Sequence, residues 1–220
     1  MKEAFVERPA SVMSLVKRKL VHGVGINDAS YATKYTVSAG EWVCCPYYER
    51  WKNMLERCYS LKYHARQPTY TGCSVHEDWH TFSIFKAWME VQDWEGKHLD
   101  KDLLVEGNKT YSKTTCLFVS RDINNLFLSR HSVRGEYPLG VTLDVASGRY
   151  RARCNYSTKS KSLGYFSSVS LAESAYCKYK ASTILSYAYG KEGAATPLLR
   201  SALLHKAQGF SDKAEHLLNL

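Results

Sequence analysis

Apolar residues recur every three or four positions in two aromatic-rich segments of this chain, which predicts two amphipathic helices. The first begins after Pro46, and its apolar face consists of Trp51, Met54, Leu55 and Cys58. The second spans about 79–92, and its apolar stripe consists of Trp79, Phe82, Phe85 and Trp88. We expect both stripes in the core of a domain, because stacking on nucleic-acid bases would require exposed rings.

Helical spacing also appears at both ends of the chain. The first 22 residues predict a surface helix, with apolar positions at Val12, Leu15, Val16 and Leu20. A β-leaning run over 31–37 predicts a strand or arm. The tail predicts two short amphipathic helices separated by Gly209, with apolar positions at Leu198, Leu199, Ala202, Leu203, Ala214, Leu217 and Leu218. Packing on the same chain is the favoured expectation for this tail, and a homodimer contact is the alternative.

Strict period-two alternation marks the segment 149–156. Its polar face consists of Arg149, Arg151, Arg153 and Asn155, and its other face of Tyr150, Ala152, Cys154 and Tyr156. Short β runs at 139–143 and 161–166 flank it, and a helix over about 171–187 follows, with Ala172, Ala175, Tyr176 and Tyr179 as the stripe that covers the Tyr150 face. Because arginines are costly to bury, we expect the polar face to meet solvent or a ligand.

The stretch 99–125 predicts strand, turn, strand and helix in that order. The strands are expected at 99–104 and 116–119, a turn at Gly107-Asn108, and the helix after Ser120. Alternation would place Asp100 and Asp102 on one face of the first strand and Lys101 on the other. A carboxylate facing a helix-borne amide offers the oxygen ligands that suit Mg²⁺ or Mn²⁺.

Composition favours a protein that binds polyanions. The 220-residue chain carries a formal net charge of +9, and residues 130–190 alone contain nine Lys or Arg against three acids. Such a basic module is typical of nucleic-acid binding, although a basic surface that only aids solubility is the alternative. The chain has no apolar run of about 18 residues and no signal-peptide pattern, so we expect a cytoplasmic protein without a membrane partner.

Seven cysteines in such a chain predict free thiols or metal ligands rather than disulfides. Cys73-x-x-His76 has zinc-ligand spacing, and Cys58 with Cys116 would complete a structural Zn²⁺ site. The alternative is that these cysteines are small core residues. His76, Glu77, Asp78 or His80 could also be active-site groups, but Glu77 and Asp78 fit equally as first-turn acids of a helix.

The 21–128 region resembles phage-encoded HNH (ββα-metal) or homing-type endonucleases. The resemblance consists of W-x-x-M-x-x-R-C-Y from Trp51, P-T-Y-x-G-C-x-V from Pro68, W-x-x-F-x-x-F from Trp79, and L-D-K-D, G-N-K-x-Y-S, C-x-F-V and I-N from Leu99 onward. It implies that Asp100 and Asn124 bind one Mg²⁺ or Mn²⁺ ion for phosphodiester hydrolysis, with Thr115 at the central Asn position.

This sequence departs from the motif where the general-base His should follow Asp100, because Lys101 stands there. His98, two residues upstream on the same face, is the preferred substitute base, and a bystander role is the alternative. Asp102 could serve as a further ligand and Lys101 as a phosphate contact. Thr115 could orient a base or cap a strand, while Asn108 is expected to serve the turn.

The 137–187 region resembles the plant ethylene-response (apetala-type, ERF-like) DNA-binding domain, which is also found fused to phage endonucleases. The matching motifs are Gly140-Val141, G-R-Y-R-A-R from Gly148, L-G-Y-F from Leu163 and A-x-x-A-Y from Ala172. The resemblance implies that the sheet lies in the major groove of duplex DNA. Its expected contacts are Thr142, Arg149, Arg151, Arg153, Asn155, Lys159 and Lys161.

Together these patterns predict an α+β protein. Its expected parts are an N-terminal helix and arm (1–40), an HNH-like helical and ββα-metal domain (41–130), an ERF-type three-stranded antiparallel sheet packed on one helix (137–190) and a helical tail (191–220). The first functional hypothesis is a sequence-preferring DNA-binding homing endonuclease that cleaves or nicks DNA with one divalent metal. The alternative is a catalytically inactive DNA-binding regulator or host-takeover factor, and a zinc-stabilised RNA-binding or protein-interaction module is weaker.

Overall fold

The computed structural model describes residues 4–38, 40–127, 136–156 and 159–219, without the side chains of residues 156 and 159. The chain is α+β, as predicted, and divides into two compact units, Met1–Phe118 and Val119–Leu220. This boundary falls inside the segment 41–130 predicted to be one nuclease-like domain, and residue 130 itself lies outside the described ranges. No helix in those ranges has both the length and the apolar character that crossing a membrane requires.

The first unit consists of short helices joined by small strand pairs. Its α-helices are α1 Val12–Val16, α2 Pro46–Tyr59, α3 Leu61–Arg66 and α4 Phe82–Glu90, and 3-10 turns cover Pro68–Tyr70 and Glu77–His80. The strands are β1 Lys34–Ser38, β2 Glu41–Cys44, β3 Ser74–Val75, β4 His98–Asp100, β5 Thr110–Tyr111 and β6 Leu117–Val119. β1 pairs with β2 antiparallel, β3 with β5 parallel, and β4 with β6.

The two predicted aromatic stripes form the core of this unit. Trp51, Phe82 and Phe85 are fully buried, and the Trp51 indole donates a hydrogen bond of 2.7 Å to the backbone carbonyl of Trp79. The Trp79 ring in turn meets the Phe85 ring edge to face, with the ring centres 5.1 Å apart. The prediction that these rings pack internally is confirmed.

The predicted helix over 79–92 is interrupted at Thr81. The amide of Ile26 donates to the carbonyl of His80, and the carbonyl of Ile26 accepts from the amide of Phe82, so Ile26 bridges to the backbone on both sides of Thr81. The 3-10 turn therefore ends at His80 and α4 begins at Phe82. A loop 55 positions earlier in the sequence causes the break.

The expected helix over the first 22 residues is wrong in extent, because only α1 is helical in the described part of that segment. The chain beyond α1 is held by Arg18, whose guanidinium donates to the carbonyls of Asn27, Ala29 and Tyr31, at 2.9 Å for the first and 2.8 Å for the last. Three bonds from one side chain fix the 27–31 loop against this segment. The predicted strand at 31–37 appears as β1, three residues later.

The second unit contains a sheet and two long helices, of which one packs on the sheet and the other packs on that helix. Its helices are α5 Arg121–Phe127, α6 Val169–Ala188, α7 Lys191–Ala195 and α8 Pro197–His216, and its strands are β7 Val141–Asp144, β8 Arg149–Tyr156 and β9 Lys159–Phe166. The strands pair antiparallel in the order β7-β8-β9, and α6 packs on all three. This is the predicted three-stranded sheet on one helix.

A close approach between sheet and helix occurs at Gly140. Its φ is +83°, a left-handed conformation, and a Cβ added there would lie 2.3 Å from the ring of Tyr176 on α6. Only glycine satisfies both conditions, so the Gly140-Val141 pair fixes how β7 begins against the helix.

The tail differs from its prediction in one respect. α8 runs without interruption through Gly209, where the sequence predicts a break between two helices. Its buried residues Leu199, Leu203, Ala207 and Ala214 lie on the side that packs against α6, and the Ala214 carbonyl accepts a hydrogen bond of 2.8 Å from the buried Ser174 hydroxyl. Most of the apolar face of the tail is thus covered within the chain, while Leu198 and Leu218 are exposed.

Candidate nucleic-acid interface

The arginines of β8 lie on the face of the sheet that α6 does not cover. Ala152 and Cys154 are fully buried, and they belong to apolar clusters that include Ala172 and Tyr176 of α6. Arg153, between them, is exposed. The predicted alternation of β8 is therefore confirmed, and the outer face carries Arg149, Arg151, Arg153 and Asn155.

Cross-strand pairing defines the neighbours of these arginines. Arg151 lies between Thr142 on β7 and Tyr165 on β9, and Arg153 lies opposite Ser162. Asn155 lies opposite Ser160. The outer face is thus cationic along its centre, with hydroxyl groups on both sides of the central arginine.

Two of the arginines differ in how they are held. Arg149 is exposed, and its Nη2 donates a 3.0 Å hydrogen bond to the backbone carbonyl of Tyr165. Arg151 is half-buried, and its Nε is buried without a hydrogen-bond partner among the described residues. A buried donor left unpaired costs free energy, so this position of the Arg151 side chain is held at a cost.

Sequence reasoning missed part of this face because β9 contains a bulge. The register shifts between Ala152 and Arg153, so that Ser162 and Gly164 are paired and Leu163 is the extra residue. The bulge reverses the alternation, and Ser160, Ser162 and Tyr165 share the arginine face. The local signal that could have indicated the shift is Gly164, since a glycine inside a strand often marks a bulge, and its φ here is +123°.

The predicted contacts on β9 are placed differently from the arginines. Lys161 lies opposite Cys154, so alternation assigns it to the other face of the sheet. It would have to reach a nucleic acid around the edge. Lys159 begins β9, and its side chain is not among the described ones.

Asp100 ends strand β4 and holds the turn that follows. Its Oδ1 accepts hydrogen bonds from the backbone amides of Asp102, at 2.8 Å, and Leu103, at 2.7 Å. Burial raises the pKa of the Asp100 carboxyl, and these two bonds offset the rise only in part. The expected strand over 99–104 stops at Asp100, so strand alternation does not apply to Lys101 and Asp102.

Lys101 is buried rather than available to a phosphate. Its Nζ lies 2.6 Å from Asp102 Oδ1 and donates to the carbonyl of Asn108 at 2.9 Å. The side-chain amide of Asn108 donates hydrogen bonds to the carbonyls of Lys101 and Thr110, at 2.8 and 2.7 Å. Asn108 thus serves the turn, as expected, and Lys101 neutralises the neighbouring carboxylate.

The other residues of the predicted catalytic set lie in different settings. His98 is half-buried and, with Asp100, flanks the buried Leu99 on β4. Thr115 donates to the carbonyl of Thr110 at 2.8 Å and lies 2.8 Å from the Ser112 hydroxyl, so it fastens a turn. Asn124 belongs to α5 in the second unit, whereas Asp100 belongs to the first.

The two carboxylates of this segment already have partners within the protein. The Asp100 oxygen Oδ1 already accepts two backbone bonds, and the carboxylate of Asp102 is paired with an ammonium group. Within the described ranges, no three His, Cys, Asp or Glu side chains come together in a way that could hold a metal ion.

The proposed zinc ligands are mostly core residues. Cys58, Cys73 and Cys116 are buried, and burial raises the pKa of Cys58 and of Cys116 to about 12. His76 instead lies at an open recess, where its Nδ1 accepts the Asp78 amide at 3.3 Å. The recess is lined by His76, Asp78, Trp79, Ser112, Lys113 and Thr114.

Comparison with protein families, curated proteins and solved structures finds no match to this chain. The resemblances to HNH nucleases and to the apetala-type domain therefore rest on the sequence motifs and stay predictions.

Proposed function

We propose that this protein binds double-stranded DNA, with sequence preference, through the outer face of the β7-β8-β9 sheet. The observation that supports this function is the placement of Arg149, Arg151 and Arg153 on one uncovered face of a sheet whose other face is packed on α6. Arginine can pair bidentately with guanine O6 and N7, and asparagine, here Asn155, with adenine.

The charge of the surrounding region supports the same ligand. Residues 130–190 carry nine Lys or Arg against three acids, an excess of six of the chain's net nine charges. Such an excess attracts the phosphate backbone over a distance and adds affinity that falls with salt.

Duplex binding measured against salt concentration tests the proposal. Arg149→Ala/Arg151→Ala/Arg153→Ala should lower the slope of log K against log salt by about 0.9 for each phosphate that the variant no longer neutralises. A matched triple at exposed cations of the same unit, Lys178→Ala/Lys191→Ala/Arg200→Ala, should leave the slope unchanged. Equal binding by the arginine triple and the wild type would overturn the proposal.

The corresponding triple Arg→Lys variant separates base reading from charge. Lysine keeps the positive charge but lacks the planar fork that pairs bidentately. We expect it to retain salt-dependent binding and to lose discrimination among duplex sequences. If discrimination survives in this variant, the arginines of β8 do not read bases.

DNA hydrolysis is a second candidate function. It is favoured by the order of β4, β6 and α5, which follows the strand, strand, helix order of the HNH motif. Because Asp100 and Asp102 are engaged in the protein's own bonds, we propose binding without hydrolysis at this motif. Plasmid nicking with Mg²⁺ or Mn²⁺ should be equal in wild type, Asp100→Ala and Asn124→Ala, and nicking that both substitutions abolish would establish the nuclease instead.

A further inference from the structure

The first unit carries a row of two tyrosines flanked by two arginines. The rings of Tyr63 and Tyr70 meet edge to face, with their centres 5.6 Å apart. The Arg66 guanidinium lies 5.6 Å from the centre of the Tyr63 ring, and the Arg57 guanidinium lies 5.8 Å from that of Tyr70. The order along the row is thus Arg66, Tyr63, Tyr70, Arg57.

Separate elements hold this row together. Arg57 belongs to α2, and its carbonyl is hydrogen-bonded at 2.8 Å to the His64 ring on α3. Lys109, from the loop before β5, donates at 3.1 Å to the carbonyl of Thr69, the neighbour of Tyr70. The row itself lies within 57–70, and Lys109, which is distant in sequence, adds a further cation beside it.

The positive charge of this surface is not neutralised by nearby acids. Lys62, Arg66 and Lys109 are exposed, and Lys62 lies one turn before Arg66 on the same side of α3. Within the described part of the chain none of these three, nor Arg57, forms an ion pair with a carboxylate. Lys101, by contrast, is paired with Asp102.

We propose that Lys62, Arg66 and Lys109 form a second DNA-contacting surface, which binds the phosphodiester backbone without reading bases. Arg66 and Lys109 are held in place before binding by the Tyr63 ring and the Thr69 carbonyl, so less side-chain freedom is lost when a phosphate binds. Contacts of this kind position a protein on DNA and carry no sequence information. The inference rests on the proposed function only in taking DNA as the ligand.

The test uses the full chain and a duplex probe over a series of salt concentrations. Lys62→Ala/Arg66→Ala/Lys109→Ala should reduce the salt slope by about 2.7, so the affinity ratio of wild type to variant should fall about 40-fold from 50 to 200 mM salt. The matched control removes three exposed cations of the same unit outside this surface, Lys17→Ala/Lys19→Ala/Lys52→Ala. Circular dichroism and urea unfolding confirm that each variant is folded.

The β8 arginine triple provides the background that separates the two surfaces. In that background the wild-type first unit should retain salt-dependent, sequence-independent binding, and adding the Lys62, Arg66 and Lys109 substitutions should remove it. If the wild type binds duplex DNA but the surface triple behaves like its control, the second surface is refuted and the sheet proposal stands. If the wild type binds no DNA, both are refuted.

Discussion

The carboxylate of Asp100 shows how one residue type serves two chemistries that a sequence cannot separate. An aspartate that ends a strand can bind a metal, or it can accept the backbone amides two and three residues later and form a turn. In this protein both of its bonds go to the turn. The motif predicted the position of the carboxylate. Whether that carboxylate binds a metal or accepts backbone amides depends on the path of the backbone that follows it.

This turn role predicts a contrast between two substitutions. Asp100→Asn keeps an amide oxygen that can accept the same two bonds, so the free energy of unfolding should change by less than about 0.5 kcal/mol. Asp100→Ala leaves two backbone amides without their acceptor and should cost about 1–2 kcal/mol. Urea unfolding of both variants measures the difference, and equal destabilisation would contradict the turn role.

Lys180 is the second residue whose setting differs from its appearance in the sequence. Its residue type places it with the basic surface, yet it is buried, and its Nζ donates at 2.5 Å to the carbonyl of Leu126 near the end of α5. The sequence does carry a signal, because Ala172, Tyr176 and Lys180 lie four residues apart on the buried stripe of α6. The helical spacing therefore predicts that Lys180 is buried, whereas its residue type alone predicts that it is exposed.

The burial of Lys180 predicts a pH dependence of stability. Burial lowers its pKa in the folded state, whereas the unfolded chain should have the ordinary value of about 10.4. Between these two values the unfolded state binds more protons, so the free energy of unfolding should rise with pH, by at most about 1.4 kcal/mol per pH unit for one proton.

Lys180→Met should abolish this rise, because methionine does not titrate. Urea unfolding between about pH 7 and pH 10 measures it. The exposed Lys178→Met is the matched control and should keep the wild-type slope. A difference in stability between the wild type and Lys180→Met that does not grow with pH over this range would contradict a buried lysine with a lowered pKa.

At the scale of elements, the periodicity of apolar residues predicted the helices and strands that pack one face against a neighbouring element. α2, β8 and α6 were predicted from periodicity, because each buries one face against a neighbour. The break at Thr81 was missed because it depends on Ile26, which binds the backbone from a distant loop. Elements whose ends depend on such remote contacts leave no periodic signal in the sequence.

The uninterrupted α8 predicts that Gly209→Ala stabilises the protein. A glycine in a helix interior costs about 0.5–1 kcal/mol relative to alanine, and a Cβ at Gly209 would meet nothing within 4 Å. Urea unfolding should show a gain of about that size. The contrast is Gly193→Ala, whose Cβ would lie 2.2 Å from the carbonyl oxygen of Ala188 and should destabilise. A loss of stability at Gly209→Ala would favour the broken helix.

At the scale of the whole molecule, composition and alternation indicate a class of ligand, whereas the motifs alone suggest the chemistry. The charge excess follows from counting residues, and the arginine face follows from period-two alternation in one strand. The prediction that Asp100 and Asn124 bind a metal rests on the motif alone, and the Asp100 carboxylate accepts two backbone amides of the turn that follows it.

The seven cysteines allow a test of the zinc prediction on the intact protein. All are unpaired, six are buried and Cys44 is half-buried. A thiol reagent attacks the thiolate, so burial, which raises the pKa of Cys58 and Cys116 to about 12, should protect these groups. We expect Cys44 to react first in the native state and all seven thiols to react after unfolding in urea.

The same titration, with a zinc indicator present, separates core thiols from zinc ligands. Cysteines that bind zinc release the metal when they are modified, in proportion to the thiols consumed. Since the described side chains form no cluster suited to a metal, we expect no stoichiometric release and no change in melting temperature with a chelator. One zinc ion released per chain would restore Cys58, Cys73, His76 and Cys116 as a structural site, and would require His76 to leave the exposed position that it now has.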